Sequence, residues 1–94
     1  MTLTQDAAET IALKALAWLA AHEELLPVFL GATGTGEEDL RNRAQDPEFL
    51  GFVLDFLLMD DAWVVAFCST HGLDNATPMQ ARAALPGGAD MHWT

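Results

Sequence analysis

Residues 46–61, DPEFLGFVLDFLLMDD, decide the fold of this chain, because they hold a helix together with its boundaries. Asp46 followed by Pro47 is typical of an N-cap with proline at the first helical position. Phenylalanine, leucine and valine then cover almost the whole circumference of the predicted helix, which runs to about Met59. Because a helix that is apolar on nearly all sides is buried in its own protein, this one is predicted to lie at the centre of an all-α domain.

Similar boundaries recur along the chain and predict five further helices. Acidic or hydroxyl residues begin each predicted helix, and a capping box is indicated at Thr35 and Glu38. Asp6 is the predicted N-cap of the first helix. Gly31 and Gly34 end the second predicted helix, Gly72 ends the fifth, and Pro86-Gly87-Gly88 ends the last. The six predicted helices run from Asp6 to about Ala21, Glu23 to Leu30, Thr35 to about Ala44, Pro47 to about Met59, Asp60 to about Thr70, and Asp74 to the stop at Pro86.

The starts of two helices are left open by the sequence. Pro27 falls inside the second predicted helix, where it would remove a backbone hydrogen bond, so that helix starts later than Glu23 or begins as a 3₁₀ turn. The last helix has a rival start at Thr77-Pro78.

The chain matches itself when it is shifted by 38 residues. Leu19 then falls on Leu57 and Phe29 on Phe67; Gly34 falls on Gly72. The matches predict two pseudo-symmetric three-helix repeats, with the first and fourth helices packed centrally. We therefore expect a compact six-helix bundle that forms one domain over 1–94, with an ordered core over 6–86 and a flexible tail over 87–94.

Charge and composition exclude several classes of function. Fourteen acidic residues stand against four Lys and Arg residues, so the formal net charge is −10. Four scattered cations are too few for a phosphate-binding surface, which excludes nucleic-acid binding. No apolar stretch approaches the roughly 20 residues that a membrane-spanning helix needs, and the N-terminus does not resemble a signal peptide. Cys68 has no second cysteine to pair with, and we expect a soluble cytoplasmic protein without a cofactor.

The acidic residues follow the helix starts. Twelve of the fourteen lie in or beside a predicted start, where capping and the helix dipole favour negative charge. The overall charge is therefore weak support for a cationic partner. Asp55 and Asp90 are the two acids outside this pattern.

Four segments of the chain carry a family resemblance: ALAWLA (15–20), EELLPVFLGATG (23–34), DLRNRAQDPEFLGFVLDFLLMDD (39–61) and ARAALPGG (81–88). They resemble an uncharacterised bacterial family of small helical proteins of about 90 residues, classed as a domain of unknown function. The resemblance covers about residues 9–88, and its most distinctive part is VLDFLL followed by two acids. The family commonly has Gly-Leu-Asp-Pro in its glycine loops; here Gly72-Leu73-Asp74 is followed by Asn75, and the first loop has Gly34-Thr35-Gly36. The resemblance implies a bacterial cytoplasmic protein and supplies no activity.

Asp55 is the polar residue that most needs an explanation. It lies in the middle of the fourth predicted helix, between Leu54 and Phe56. A buried, unpaired carboxylate is costly, so Asp55 must face solvent or be bonded. Three readings stay open: a narrow solvent-facing stripe, a structural bond to a helix end or to Arg43 or Arg82, and a functional site.

Other motifs are better explained by structure than by chemistry. Cys68 and His71 have the spacing of half a metal site or of a nucleophile with its base, yet no second half is visible and the setting is acidic. We interpret them as a core cysteine and a histidine at a helix C-terminus. His22-Glu23 lacks the second histidine of a zinc-protease motif, and residues 31–36 form a glycine-rich loop followed by acids rather than a phosphate-binding loop. No catalytic residue, cofactor or metal ligand is predicted.

Two tryptophans are candidate interaction residues, since aromatic side chains often anchor interfaces. Trp63 falls on Leu25 in the self-match, which favours a place in the core or in a groove. Trp93 belongs to the predicted tail, where docking, partner contact and disorder are the alternatives.

Three kinds of function are left open, with a non-enzymatic protein-interaction or regulatory module preferred. That preference rests on the missing catalytic constellation and on the aromatic content. The alternative is a small ligand-binding protein or enzyme with a pocket between the two helical halves, holding Asp55, Cys68 or His71. A mimic of nucleic acid ranks third and would need its acids on one continuous face. The partner and the oligomeric state are not predicted.

Overall fold

The helix that begins at Pro47 is present, with the boundary that the sequence predicts, in the computed structural model, which describes residues 3–87. The Asp46 carboxylate accepts a hydrogen bond of 2.9 Å from the amide of Glu48, and Pro47 lies in the first turn. The described residues form six α-helices and no strand, so the predicted all-α, six-helix class is confirmed. The helices are α1 (Gln5–Ala20), α2 (Leu26–Thr33), α3 (Leu40–Arg43), α4 (Pro47–Leu57), α5 (Asp61–His71) and α6 (Thr77–Ala83), with a 3₁₀ turn at Glu37–Asp39.

The centre of the bundle is the packing of α1 along α4, with α6 against both. This arrangement agrees with the central position predicted for the two long helices. Two other helices each contribute a fully buried phenylalanine to the core, Phe29 on α2 and Phe67 on α5. The Phe29 ring meets Phe49 and Phe56 edge to face, with centroids 5.7 and 5.3 Å apart. Such edge contacts suit the charge distribution of aromatic rings and fix how α2 lies on α4.

The structure corrects the predicted N-cap of the first helix and decides the two helix starts that the sequence leaves open. Thr4, not Asp6, caps α1, because its hydroxyl accepts from the amide of Ala7. The second helix starts at Leu26, which places Pro27 in the first turn, where its missing N–H costs nothing. The rival start at Thr77 is the observed start of α6, and Asp74 instead binds the amide of Ala76 in the preceding turn. That helix ends at Ala83, ahead of Pro86.

The predicted capping box at Thr35 and Glu38 is absent. Gly34 ends α2 in the left-handed conformation, with φ of 70°, so the preceding Gly31 lies within the helix. The following turn carries the Thr35 side chain into the interior, where its hydroxyl has no hydrogen-bond partner among residues 3–87. Gly36 occupies the cap position of the 3₁₀ turn instead, and the predicted helix over 35–44 is divided between that turn and α3.

Helix α4 is less completely buried than its composition predicts. Seven of its eleven residues are buried, among them Phe49, Leu54 and Phe56. Phe52 and Met59, however, are 47% and 75% exposed. The apolar surface of this segment is therefore larger than the core of the folded chain can cover.

The predicted internal repeat has partial counterparts in the structure and stays a prediction. Phe29 and Phe67 are both fully buried, and Gly34 and Gly72 both end a helix with positive φ. The two halves nevertheless pack differently, since α6 lies against α1 and α4 whereas α3 contacts chiefly the 3₁₀ turn before it.

Most of the predicted flexible tail, including Asp90 and Trp93, lies outside the described residues.

Candidate functional site

Asp55, the residue that the sequence marks, forms an ion pair with Arg82. The Nε–H of Arg82 donates to Oδ1 of Asp55 at 2.6 Å, and Nη2 donates to Oδ2 at 3.2 Å. This two-point contact matches the planar guanidinium to the planar carboxylate. Of the alternatives left open by the sequence, the bond to Arg82 is therefore present. Arg43 lies elsewhere, with its guanidinium 4.8 Å from the centroid of the Phe49 ring.

The guanidinium of Arg82 lies against the backbone of α4. A Cβ atom on Gly51 would stand 2.8 Å from Nη1 of Arg82 and 3.1 Å from Cζ, so a larger residue leaves no room for the charged group where it lies. Nη1 also donates to the carbonyl of Pro86 at 3.0 Å. Arg82 thus joins α4, α6 and the turn that follows α6.

Exposure differs between the two partners of this ion pair. The Arg82 side chain is 12% exposed, whereas that of Asp55 is 42% exposed. The Asp55 carboxylate is therefore exposed to solvent, as one of the sequence alternatives predicts, while its two oxygens accept hydrogen bonds from Arg82.

Beside Asp55, a pocket of about 380 Å³ opens between α2 and α4. Its lining includes the buried ring of Phe56 and two exposed large apolar side chains, those of Phe52 and Met59. We call this surface the α2–α4 groove; its lining residues are Ala32, Thr33, Phe52, Asp55, Phe56 and Met59.

The polar groups of the groove are already engaged within the chain. The Thr33 hydroxyl donates to the Phe29 carbonyl at 3.0 Å, and both Asp55 oxygens accept from Arg82. The groove therefore offers mainly apolar contact, with a carboxylate at its edge.

The Trp63 side chain does not line the groove, but it packs on Phe56, which does. Its ring stacks on Phe56 with centroids 5.1 Å apart and an interplanar angle of 21°. Because Trp63 is partly buried and packed against the core, its position agrees with the core reading of the sequence.

Cys68 and His71 are not brought together with Asp55. The Cys68 thiol is fully buried and lies 3.5 Å from the carbonyl oxygen of Asp74, to which it donates. Burial raises the pKa of this thiol, and the nearby Asp74 carboxylate raises it further. A thiol in this setting keeps its proton and is a poor nucleophile. His71 packs its ring against Phe67, with centroids 4.8 Å apart.

The remaining motifs have structural roles. His22 uses Nδ1 to contact the carbonyl oxygen of Trp18 at 2.6 Å and packs on the Trp18 ring. Within residues 3–87, no group of three or more His, Cys, Asp or Glu side chains is placed to hold a metal ion. No helix in this part of the chain has the length and apolarity needed to cross a membrane.

A second pocket, of about 470 Å³, lies between α1 and α3. Leucines and alanines form most of its wall, and Arg41 is its charged lining residue.

Phe52 and Met59 are the site residues that the sequence analysis missed. A signal for them is present, because Asp55 follows Phe52 by three residues and Met59 follows Asp55 by four. Side chains at these spacings share one helix face. If the Asp55 carboxylate reaches solvent, the other side chains on the same helix face must also lie near solvent.

The comparisons with known proteins agree with the family resemblance found in the sequence. No curated protein and no solved structure matches the chain. The model of one family, however, matches residues 5–88, which is most of the chain. The chain therefore belongs to the family described as "Protein of unknown function (DUF3572)".

Proposed function

We propose that this chain is a non-enzymatic interaction module that binds a helical segment of a partner protein in the α2–α4 groove. The observation that carries the proposal is the exposure of Phe52 and Met59 in the lining of the pocket, next to the buried ring of Phe56. Large apolar side chains gathered at one hollow favour binding, because covering them removes apolar surface from water.

The shape of the groove supports a helix as the bound segment. One face of α4, together with the turn that follows it, carries Phe52, Asp55 and Met59. Ala32 and Thr33 of α2 form the facing wall. A hollow between two helices is a common seat for the apolar face of a third.

A non-enzymatic role is supported by the placement of the reactive side chains. The groove is lined by neither Cys68 nor His71, and Asp55 is bonded to Arg82. A nucleophile beside a general base, which most hydrolytic chemistry needs, is not assembled there. The proposal places this binding in the cytoplasm, as the sequence predicts.

Photo-crosslinking tests the proposal directly. A benzoylphenylalanine is placed at Met59, and at Met79 as a matched control, since Met79 is an exposed methionine on α6. A partner is expected to crosslink from position 59 and not from position 79. The identified partner is then purified, and its binding to the Met59→Glu and Met79→Glu variants is measured by calorimetry.

Met59→Glu is expected to weaken the reconstituted complex by about tenfold or more, because a carboxylate would have to be desolvated in an apolar contact. Met79→Glu should bind like the unaltered chain. A reconstituted complex that tolerates Met59→Glu would show that the partner binds elsewhere.

A small apolar ligand is the second candidate. A pocket of about 380 Å³ is within the range of small-molecule sites. Few polar groups of the groove are free to orient such a ligand, so the observations favour a protein side chain. Native mass spectrometry of the chain purified from its own cells distinguishes the two, since a retained small molecule adds a fixed mass.

A further inference from the structure

We infer that the segment bound in the α2–α4 groove is an amphipathic helix with basic residues at both of its ends. The inference rests on the proposed function and adds the chemistry of the partner. It comes from where the acids lie around the groove rather than from the total charge of the chain.

The exposed apolar stripe sets the length of the contact. Phe52 and Met59 are seven residues apart, which corresponds to about two helical turns, or roughly 10 Å along the axis. A partner helix covers such a stripe with apolar residues at positions i, i+3 or i+4, and i+7. Its flanking residues then lie over the two ends of the stripe.

An exposed acidic residue lies near each of those ends along the chain. Glu48 is exposed and lies one turn before Phe52 on the same face of α4. Asp61 is exposed at the start of α5, two residues after Met59. Any helix that fills the stripe therefore brings its ends close to negative charge.

No positive charge on the two groove helices offsets these acids. The sequences of α2 and α4 contain neither lysine nor arginine. Arg82 reaches α4 but is mostly buried and is paired with Asp55. The groove is thus mainly apolar, with Asp55 at its edge already paired to Arg82 and further acids beyond its ends. This pattern complements a helix with an apolar face and basic ends.

Charge also disfavours a second copy of this chain as the occupant. Each copy has a net charge of −10, and a shared groove contact would bring Glu48 and Asp61 of both copies together. Like charges held close across an interface are unfavourable.

Two synthetic peptides test the inference with the full chain. Both are stapled helices with leucine at positions i, i+4 and i+7; one has two lysines at each end, and the other has two glutamates there. Binding is measured by calorimetry at physiological salt. The lysine peptide is expected to bind about tenfold tighter than the glutamate peptide, because several exposed ion pairs of modest strength act together.

Matched variants separate the groove from general attraction to an acidic protein. Glu48→Gln with Asp61→Asn should remove most of the preference for the lysine peptide. Asp6→Asn with Glu9→Gln removes the same charge from α1, which does not line the groove, and should keep that preference. Phe52→Ala should weaken both peptides by a similar factor.

The possible results lead to different conclusions. Equal binding of the two peptides, lost in Phe52→Ala, would overturn the basic-ended partner and leave the proposed function standing. An equal effect of the two acid-removing pairs would overturn the inference, because attraction would then be general. Failure of both peptides to bind would also overturn it, whereas the crosslinking experiment would still decide the proposed function. Sedimentation of the chain alone as a dimer that Met59→Glu dissociates would overturn both in favour of a second copy.

Discussion

Arg82 makes three hydrogen bonds with its guanidinium, two to Asp55 and one to the carbonyl of Pro86. At the scale of the residue, Asp55 is the one acid within residues 3–87 that lies away from a predicted helix start. Its bonds to Arg82 give it a structural role. The benefit is moderated by the partial exposure of Asp55, since water weakens the attraction of the pair.

A double-mutant cycle should measure this ion pair. Asp55→Ala leaves a mostly buried guanidinium without its carboxylate, so the free energy of unfolding is expected to fall by about 1–2 kcal/mol. Arg82→Ala should cost a similar amount, and the double variant should cost less than the sum by about 1 kcal/mol. Urea denaturation supplies the values, and strict additivity would mean that the pair contributes no coupling.

Gly51→Ala should reverse the usual effect of removing a glycine from a helix. Alanine normally stabilises a helix interior by about 0.5–1 kcal/mol over glycine. Here its Cβ would meet Nη1 of Arg82 at 2.8 Å, so the guanidinium must shift away from its partners Asp55 and Pro86. Because those bonds would be weakened, we expect the variant to be less stable than the unaltered chain. Gly31→Ala is the matched control, because no atom lies within 4 Å of the added carbon, and it should gain stability. Combining Gly51→Ala with Arg82→Ala should restore the usual gain; persistence of the loss would point to another clash.

Cys68 should make the stability of the chain fall at alkaline pH. Burial and Asp74 raise the pKa of its thiol in the folded chain, so the unfolded chain loses this proton first. Stability is therefore unaffected below the unfolded pKa of roughly 8.5. Above that pH, stability falls by up to about 1.4 kcal/mol per pH unit until the folded pKa is reached. Thermal melts of the unaltered chain and Cys68→Ala at increasing pH check the slope, which should be shallower in the variant.

At the scale of the element, helix boundaries depend on which oxygen actually reaches a free amide. Asp46 and Asp60 cap α4 and α5 through bonds to Glu48 and Ala62. Asp6 has the right residue type, yet Thr4 performs the capping, because α1 begins at Gln5. Residue type alone thus identifies a boundary region, and the extent of the helix decides which side chain caps it.

Replacing two of these acids should separate a cap from a first-turn charge. Asp60→Ala removes the bond to the Ala62 amide, and we expect a cost of about 1 kcal/mol. Asp6→Ala removes only a favourable charge near the start of α1, for which a few tenths of a kcal/mol is expected. Chemical denaturation of both variants gives the comparison. Equal costs would contradict the assignment of Thr4 as the cap of α1.

At the scale of the whole molecule, one side of the apolar helix α4 belongs to the core and the other side lines the groove. The inner face of α4 packs on α1, α2 and α6. Its outer stripe, with Phe52 and Met59, is left at the surface. The described chain measures 34 × 25 × 25 Å, and a body of this size has too few elements to cover a central helix on every side.

Replacing Phe56 or Phe52 by alanine should distinguish the buried side of α4 from its exposed side. Phe56→Ala should lower the free energy of unfolding by about 3–5 kcal/mol, because its ring packs against Phe29 and Trp63 in the interior. Phe52→Ala should cost less than about 1.5 kcal/mol, since nearly half of its side chain is already in water. Calorimetric melts decide between them, and similar losses would place Phe52 in the core.

The sequence by itself determined the all-α class, the six helices, the caps at Asp46 and Asp60, and the glycines that end α2 and α5. These features depend on contacts within a few residues, so local patterns of apolar residues, acids and glycines suffice to predict them. It also singled out Asp55, because a carboxylate in an apolar helix needs a partner or solvent.

Only the tertiary structure decided that Arg82 rather than Arg43 binds Asp55, that Thr35 is buried, and that Phe52 and Met59 stay exposed. Each of these depends on how helices distant in sequence pack together. Asp55 and Arg82 are separated by 27 residues, and no local pattern fixes their distance. Composition made α4 apolar almost all round, but the number and placement of its neighbours determined which side the chain itself could cover.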